Sequence, residues 1–256
     1  MLKLTIFCLR FLNILYYHSS TLLEKRKTCV WASELSRYFK VTPDKIINQY
    51  QQKRPQTALL WSKKKRKTKE QIHSFYQETD YFIYRQTYFH RHKSYLDIAL
   101  ALLLKPAGKF CEYGGGVGPI TNKLINFFPN WQYHITDLDC PVLSFAKWRF
   151  KNKRNVSFST VTSKPLPLKD KFDVIVCHQV LEHVTNPLDV VKHFVDHLNS
   201  NGWLYLDFIY EPGEENIEAG AKQRKQVLKF LRTTLKPICK INPNSPKEGY
   251  GLYIKK

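Results

Sequence analysis

The feature that most constrains the fold is the stretch FCEYGGGVGPI, residues 110–120, which carries four of the chain's ten glycines within five positions. It follows a short apolar run and precedes a helical pattern, so the glycines form a turn between a strand and a helix. Glycine adopts backbone conformations and permits close approaches that other residues resist. In doubly wound α/β folds such a turn is where the cofactor meets the backbone. The sequence therefore predicts a ligand site at this turn.

Helix and strand patterns alternate from about residue 93 onward. The helical segments are YLDIALALLL, ITNKLINFF, VLSFAKWRF, PLDVVKHFVDHL and KQVLKFLRTTL, and the strands are KFCEYG, WQYHITD, VSFST, FDVIVC and WLYLDFI, followed by PICKI and GYGLYIKK. Alternation of this kind predicts a parallel sheet with helices on both faces. The last two strands have no helix between them and are expected to form an antiparallel hairpin at one edge. Asn201 and Gly202 are expected to close the fourth of these helices.

The fold class predicted is thus α/β, a doubly wound, Rossmann-like seven-stranded sheet over residues 93–256. Residues 1–92 are expected to form a basic, helical N-terminal extension or cap, in which Thr42 is the N-cap of a helix with Pro43 at its first position. The opening MLKLTIFCLRFLNILYY is interpreted as an amphipathic helix packed on the protein, with a membrane-surface anchor as the alternative.

The net charge of +20 is concentrated in the front half, where residues 1–109 hold 21 Lys and Arg against 7 Asp and Glu. The remaining residues hold 20 against 14, so the two parts carry +14 and +6. Such a field favours anionic partners without choosing among them. The basic run at 63–69 is interpreted as an exposed turn, and the aromatic stretch 71–95 as a cap over a small-molecule pocket, a base-stacking surface or simple packing. Six scattered cysteines without a CxxC pair favour a reducing, cytoplasmic setting.

The glycine turn does not fit a dinucleotide. The G-x-G-x-x-G pattern places Gly114 and Gly116 correctly, but Pro119 stands where the third glycine is needed. Glu112, two residues before the first glycine, would repel a pyrophosphate lying on the helix N-terminus. A carboxylate at this position favours a ligand that carries positive charge.

The spacing Glu112-x-Gly114-x-Gly116-x-Gly118 resembles the first motif of the class I S-adenosylmethionine-dependent methyltransferases. HITDLDCPVLSFA resembles their second motif, and LPLKDKFDVIVCHQVLEHV resembles the fourth-strand motif of the small-molecule, ubiquinone-methyltransferase-like branch. The resemblance covers residues 93–256 and implies S-adenosylmethionine as the cofactor and a small-molecule methyl acceptor. It implies that the glycines and Glu112 position the methionine half of the cofactor.

The resemblance also implies roles for residues that follow the second and third strands. Asp137 is expected to accept hydrogen bonds from the ribose hydroxyls, with Leu138 beside it in the cofactor site. Thr162 and Ser163 stand where relatives carry an acid or amide near the adenine, so they are expected to line that part of the site.

Two histidines near the end of the fourth strand are the candidate catalytic residues. His178 at the strand tip and His183 one turn later are predicted as a general base or substrate contact, and His178 also as a cofactor contact. A structural hydrogen bond is the alternative for His183. No metal site is predicted, because Gln179 replaces the first carboxylate of the E-x-x-E-H pattern found in some related O-methyltransferases.

Two other functions remain as alternatives. A methyltransferase acting on RNA or another polyanion would explain the basic front half, although the fourth strand lacks the Asn/Asp-Pro-Pro-aromatic motif typical of base N-methylation. A non-catalytic protein that binds the cofactor on the same fold is the third reading. Pocket-filling side chains would favour it.

Overall fold

The computed structural model describes residues 2–24, 30–65, 68–161, 166–209, 216–242 and 250–256. The first five helices belong to the front of the chain: α1 (Leu2–Glu24), α2 (Val30–Phe39), α3 (Pro43–Lys63), α4 (Lys69–Glu78) and α5 (Tyr81–His90). The alternating part then runs α6 (Leu96–Leu103), β1 (Lys109–Tyr113), α7 (Pro119–Leu124), β2 (Gln132–Leu138), α8 (Pro141–Arg149), β3 (Val156–Val161), β4 (Phe172–Cys177), α9 (Pro187–His197), β5 (Leu198–Asp207), α10 (Glu218–Thr234), β6 (Lys236–Cys239) and β7 (Tyr250–Ile254).

The strands form one seven-stranded sheet in the order β3-β2-β1-β4-β5-β7-β6. The pairs among the first five strands in this order are parallel, while β7 runs antiparallel to both β5 and β6. From β1 the strand order proceeds to β2 and β3 on one side and to β4 and β5 on the other. Doubly wound sheets bind ligands at this switch point. The predicted α/β fold and the antiparallel C-terminal pair are therefore confirmed.

One predicted boundary is wrong. Helix α9 ends at His197, and β5 begins at Leu198, so Asn201 and Gly202 lie inside the strand. Leu198 is fully buried and pairs with Phe172, so the strand begins four residues before Gly202. The register between β4 and β5 then shifts, and the backbone around Asn201, with φ +60°, bonds to Lys255 at the neighbouring strand. The Asn-Gly pair marks a bulge rather than the end of the helix.

The core has three main parts. One apolar cluster lies between the sheet and α9 and α10, and a second lies on the opposite face beneath α6 and α7. A third cluster joins α2, α3 and α5 to α8, so the front helices pack on the sheet domain near the carboxyl ends of its first two strands. The buried guanidinium of Arg149 stabilises the packing of the front helices on the sheet domain. It donates to both carboxylate oxygens of Glu34 on α2 and to the Val117 carbonyl. Thr42 caps α3 as predicted.

Helix α1 packs against α6, as the amphipathic pattern predicted. Ile6 is fully buried, Arg10 pairs with Asp97 at 3.1 Å, and the Asn13 side chain accepts from the first amide of α6. The opposite side of α1 leaves large apolar side chains such as Phe7, 69% exposed, in contact with solvent. Among the described helices, none has the length and apolar character needed to cross a membrane. The domain boundary at residues 92 and 93 stays a prediction.

Candidate active site

The candidate site is a cavity of about 290 Å³ at the carboxyl ends of β1, β2 and β4. Helices α4 and α5 of the front part close it from above. Six of the predicted site residues line it: Glu112, Gly114, Asp137, Leu138, His178 and His183. Gly116 and Gly118 belong to the same turn but do not line the cavity, whereas Gly115 does. Thr162 and Ser163 lie outside the described residues.

The glycine turn is shaped by contacts with the protein's own side chains. Gly114, Gly116 and Gly118 all have positive φ, between +55° and +66°, which L-residues with side chains rarely adopt. A Cβ at Gly114 would overlap Val180, and one at Gly116 would overlap the Gln86 side-chain oxygen. The turn is thus held in place by Val180, in the loop after β4, and by Gln86 on α5. The glycines permit this internal packing as well as the approach of a ligand.

Glu112 is committed to the helix that follows the turn. One oxygen accepts from the Ile120 amide at 3.0 Å, and the other accepts from the amide and hydroxyl of Thr121 at 2.8 and 2.7 Å. Burial raises the pKa of Glu112 to about 7, although the Thr121 and Ile120 donors oppose that rise. Its carboxylate satisfies the first free amides of α7 and still faces the cavity.

Asp137 is the next-to-last residue of β2 and is the acid most available to a ligand. Its oxygens accept from the backbone N–H groups of Gly116 and Leu138, each at 2.6 Å. Burial raises its pKa to about 6, and these two backbone donors limit the rise. Each oxygen keeps lone-pair capacity for a further donor. Apolar Leu138 pairs with Val161 on β3, and both line the cavity, which leaves an apolar slot beside the carboxylate.

His178 is held by a carboxylate that the sequence reasoning missed. Its Nδ1 lies 2.5 Å from an oxygen of Asp207, the last residue of β5, and the other oxygen accepts from the Gln179 amide at 2.6 Å. Asp207 is buried at 1% exposure. A carboxylate at Nδ1 keeps the ring proton there and makes Nε2 the accepting nitrogen, with the Tyr250 hydroxyl 3.3 Å from it. The signal in the sequence is an acid at the carboxyl end of the strand adjacent to β4.

His183 lies at the end of a short 3-10 helix, residues 181–183, and is half-buried at the cavity wall. Its neighbour Glu182 is buried, and burial together with the charge of Asp207 raises the pKa of Glu182 well above its usual range. Gln179 adopts φ +54° between these groups. This left-handed position lets its amide point back at Asp207. Within the described part of the chain, no group of three His, Cys, Asp or Glu side chains is arranged to hold a metal ion.

The front helices contribute a second set of residues that sequence reasoning did not assign individually. Gln86 on α5 accepts from the Val117 amide at 3.0 Å and lines the cavity. His90, at the end of α5, stacks its ring edge against His178 at 5.8 Å, and burial lowers the pKa of His90 well below its usual range. The aromatic stretch thus caps the cavity, one of the three readings considered for it.

The cavity suits a ligand with a ribose, a flat heterocycle and a positive centre. Asp137 offers buried acceptor oxygens for hydroxyl groups, and the slot at Leu138 and Val161 offers apolar contact for a ring. A cation bound near Asp137 and Glu112 would lower the raised pKa of each carboxyl by favouring its charged form. The residues present therefore fit S-adenosylmethionine.

Comparison with known proteins agrees with the geometry. Residues 111–204 match the family described as a methyltransferase domain. The chain is 24% identical over 161 residues to a malonyl-[acyl-carrier protein] O-methyltransferase of Bacillus anthracis, covering 58% of this chain and 59% of that protein. It is 29% identical over 130 residues to a tRNA U34 carboxymethyltransferase of Campylobacter concisus, covering 49% of this chain and 44% of that protein.

A mitochondrial ubiquinone biosynthesis O-methyltransferase of Candida albicans is 32% identical over 77 residues, covering 28% of this chain and 24% of that protein. The chain thus spans less than two thirds of the length of these relatives. The matched segment runs from β1 to β5, and it holds the glycine turn, Asp137 and His178. The family match and the sheet order together identify residues 111–204 as a methyltransferase domain, similar to those of the class I, S-adenosylmethionine-dependent enzymes.

Proposed function

We propose that this protein transfers a methyl group from S-adenosylmethionine to an oxygen or nitrogen of a small-molecule acceptor. One observation carries the proposal: a single cavity at the switch point of the sheet is lined both by the half-buried carboxylate of Asp137 and by His178. The Asp137 carboxylate suits binding of the cofactor, and His178 suits removal of a proton from an acceptor. The open cavity also argues against a fold retained without a ligand.

S-adenosylmethionine, when bound, supplies a methyl group activated by the sulfonium. Asp137 would accept the ribose hydroxyls, while Gly114 and Gly115 present backbone to the ligand. Most of the rate increase in such an in-line displacement comes from holding the acceptor in line and excluding water. The residues of α4 and α5 that close the cavity support this role.

His178 is the proposed general base. As the acceptor atom takes up the methyl group, its proton passes to Nε2, while Asp207 at Nδ1 stabilises the imidazolium that forms. Asp207 acts through His178 and is a positioning residue. His183 remains a proposed substrate contact at the same wall.

Binding of S-adenosylhomocysteine, measured by calorimetry, tests the cofactor site. The wild-type chain is expected to bind it, and Asp137→Ala or Gly116→Val is expected to weaken binding by about 100-fold, since a charged hydrogen-bond partner or the turn itself is lost. Asp170→Ala is the control, because this acid is exposed and pairs only with Lys109. Affinity that is unchanged in both site variants would overturn the assignment.

The role of His178 is tested separately by turnover. His178→Ala is expected to lower kcat by about 100-fold or more while S-adenosylhomocysteine affinity is retained. Asp207→Asn is expected to shift the pH profile of kcat, which a purely structural role would leave in place. Equal kcat in wild type and His178→Ala would remove the histidine from the chemistry.

RNA is the second candidate acceptor. It is favoured by the charge of +14 in residues 1–109 and by the similarity to a tRNA-modifying enzyme. A polyanion site predicts RNA affinity that falls steeply with salt, because phosphate contacts release counterions. Salt-dependent binding combined with methylation of RNA would replace the small-molecule proposal. We also propose a cytoplasmic setting, on the scattered cysteines of the sequence, which include no CxxC pair.

A further inference from the structure

Helix α1 has apolar residues on two opposite faces, and the described part of the protein covers one of them. Ile6 is fully buried on the side that packs against α6, and Arg10 and Asn13 bind Asp97 on the same side. The other side faces solvent. Its large apolar side chains, each at least 47% exposed, include Leu4, Phe7, Phe11, Leu12, Ile14 and Leu15.

These exposed side chains form an apolar stripe along α1. Leu4, Phe7, Phe11 and Leu15 follow one another at steps of three or four residues, the spacing that places side chains on a single face of a helix. Leu103, at the end of the helix on which α1 packs, is 69% exposed as well. Contiguous apolar surface on this scale marks a site that contacts a partner or a membrane surface.

The chain around the apolar stripe is basic. Residues 1–33 hold five Lys and Arg against one Glu, and the first 23 residues contain no Asp or Glu. Helix α1 also contacts the edge strand β6. Residues 236–256, which include β6 and β7, hold five Lys against one Glu. Lys3 on α1 and both Lys236 and Lys240 at the edge strand are exposed, so cations flank the apolar stripe.

The apolar stripe and the basic flank together select the occupant of this face. A second copy of the chain would bring two surfaces of the same charge together, which disfavours pairing through this face. A nucleic acid would match the charge, but it offers no apolar phase to the aliphatic side chains of Leu4, Leu12 and Leu15. An anionic lipid surface offers negative headgroups and an acyl region at once.

We propose that α1 is a membrane-surface helix that binds anionic phospholipid. It lies in the plane of the lipid surface, with Phe7 and Phe11 at the acyl boundary and with Lys3, Lys236 and Lys240 among the headgroups. Its other face stays packed on α6, so the rest of the described domain sits beside the lipid. This inference goes beyond the proposed function and does not depend on it.

Flotation of the full-length chain with lipid vesicles tests the apolar stripe. Wild type is expected to bind vesicles of two parts phosphatidylcholine to one part phosphatidylserine. Phe7→Ser/Phe11→Ser is expected to weaken this binding at least tenfold, because two rings no longer enter the lipid. Both side chains are exposed in the folded chain, so the urea midpoint of this variant should equal that of wild type.

Leu59→Ser is the matched control. Leu59 on α3 is 54% exposed, but the exposed residues about one turn away on either side, Gln56 and Lys63, are polar. This variant is expected to bind vesicles as wild type does. The inference is overturned by a wild type that does not float with the vesicles, or by a Phe7→Ser/Phe11→Ser variant that binds them as tightly as wild type.

Two pairs of charge substitutions test the basic flank. Wild type is expected to bind at least tenfold more weakly to vesicles of phosphatidylcholine alone, and Lys236→Gln/Lys240→Gln is expected to weaken binding to the anionic vesicles about tenfold. Lys151→Gln/Arg154→Gln removes the same charge beside β3, at the opposite edge of the sheet, and should change this affinity by less than about twofold. Equal weakening by the two pairs would attribute the binding to net charge and contradict the proposed surface.

Analytical ultracentrifugation without lipid tests the competing occupant. Wild type and Phe7→Ser/Phe11→Ser are expected to sediment alike, since the apolar stripe does not join two copies of the chain. A wild-type dimer that this variant converts to a monomer would assign the stripe to a second copy and overturn the lipid proposal.

Discussion

Two carboxylates, that of buried Glu112 and that of half-buried Asp137, stand near the ends of neighbouring parallel strands, and the protein uses them differently. Glu112 on β1 accepts three hydrogen bonds from the first turn of α7. Asp137 on β2 accepts two backbone hydrogen bonds that hold the turn in place. Burial raises the pKa of both, to about 7 and about 6. Asp137 keeps about two of its four acceptor sites for a ligand, whereas Glu112 keeps about one.

The difference shows that an acid in a cofactor-binding motif can have its hydrogen bonds taken up by the fold rather than by a ligand. Glu112 occupies the position where the family resemblance implies cofactor contact, yet its partners are the amides that a helix N-terminus leaves free. Its negative charge remains near the cavity and favours a cationic centre. We therefore expect removal of Glu112 and removal of Asp137 to have different effects on stability and on cofactor binding.

The largest expected effect is the loss of stability in Glu112→Ala. Three buried donors lose their acceptor, each at about 1–3 kcal/mol, so the free energy of unfolding should fall by about 3–5 kcal/mol in urea denaturation. Glu218→Ala, in the first turn of α10 and fully exposed, is the matched control and is expected to unfold at the same urea concentration as wild type. A loss below about 1 kcal/mol for Glu112→Ala would show that α7 does not depend on this carboxylate.

Asp137→Asn is expected to change the pH dependence of stability in the ligand-free chain. Because its folded pKa is raised from about 4 to about 6, the folded state holds the proton longer, and stability falls as pH rises through this window. Asp137→Asn should therefore remove a pH-dependent loss on the order of 2 kcal/mol. At pH 7 this gain is offset, because the amide nitrogen cannot accept from one of the two backbone N–H groups, and cofactor affinity is lost.

Denaturation curves at pH 4 and pH 7 measure this effect. The decline between the two pH values should be smaller in Asp137→Asn than in wild type, and Asp170→Asn, an exposed acid, should show the wild-type decline. Identical pH dependence in Asp137→Asn and wild type would show that the pKa of Asp137 is the same in the folded and unfolded chains.

The sequence predicted the sheet and most of the site because these depend on local patterns. Apolar strands followed by helical periodicity specify β1 to β5, and the acids at 112 and 137 fall at strand ends where parallel strands meet. The end of α9 was misplaced because burial of Leu198 against Phe172, a contact across the sheet, outweighs the local Asn-Gly signal.

Residues from distant parts of the chain escaped prediction. Asp207 reaches His178 only because β4 and β5 are adjacent, and Arg10 pairs with Asp97 only because α1 folds back onto α6. Gln86 lies on α5, more than twenty residues before the glycine turn in the sequence, and contacts that turn. No sequence motif marks this residue. Single-chain patterns give the elements, whereas these contacts depend on how the elements pack.

The smallest expected effect probes that last contact. Gly116→Ala places a methyl group where the flexible Gln86 side chain lies and strains a residue with φ +55°, so it should cost about 1–2 kcal/mol of unfolding free energy. In a Gln86→Ala background the overlap is gone, and only the backbone strain of about 1 kcal/mol should remain. Gly114→Ala is the matched control, because its crowding comes from Val180 and should be equal in both backgrounds. A double-mutant cycle with no coupling between positions 86 and 116 would mean that α5 does not hold the turn on which Asp137 depends.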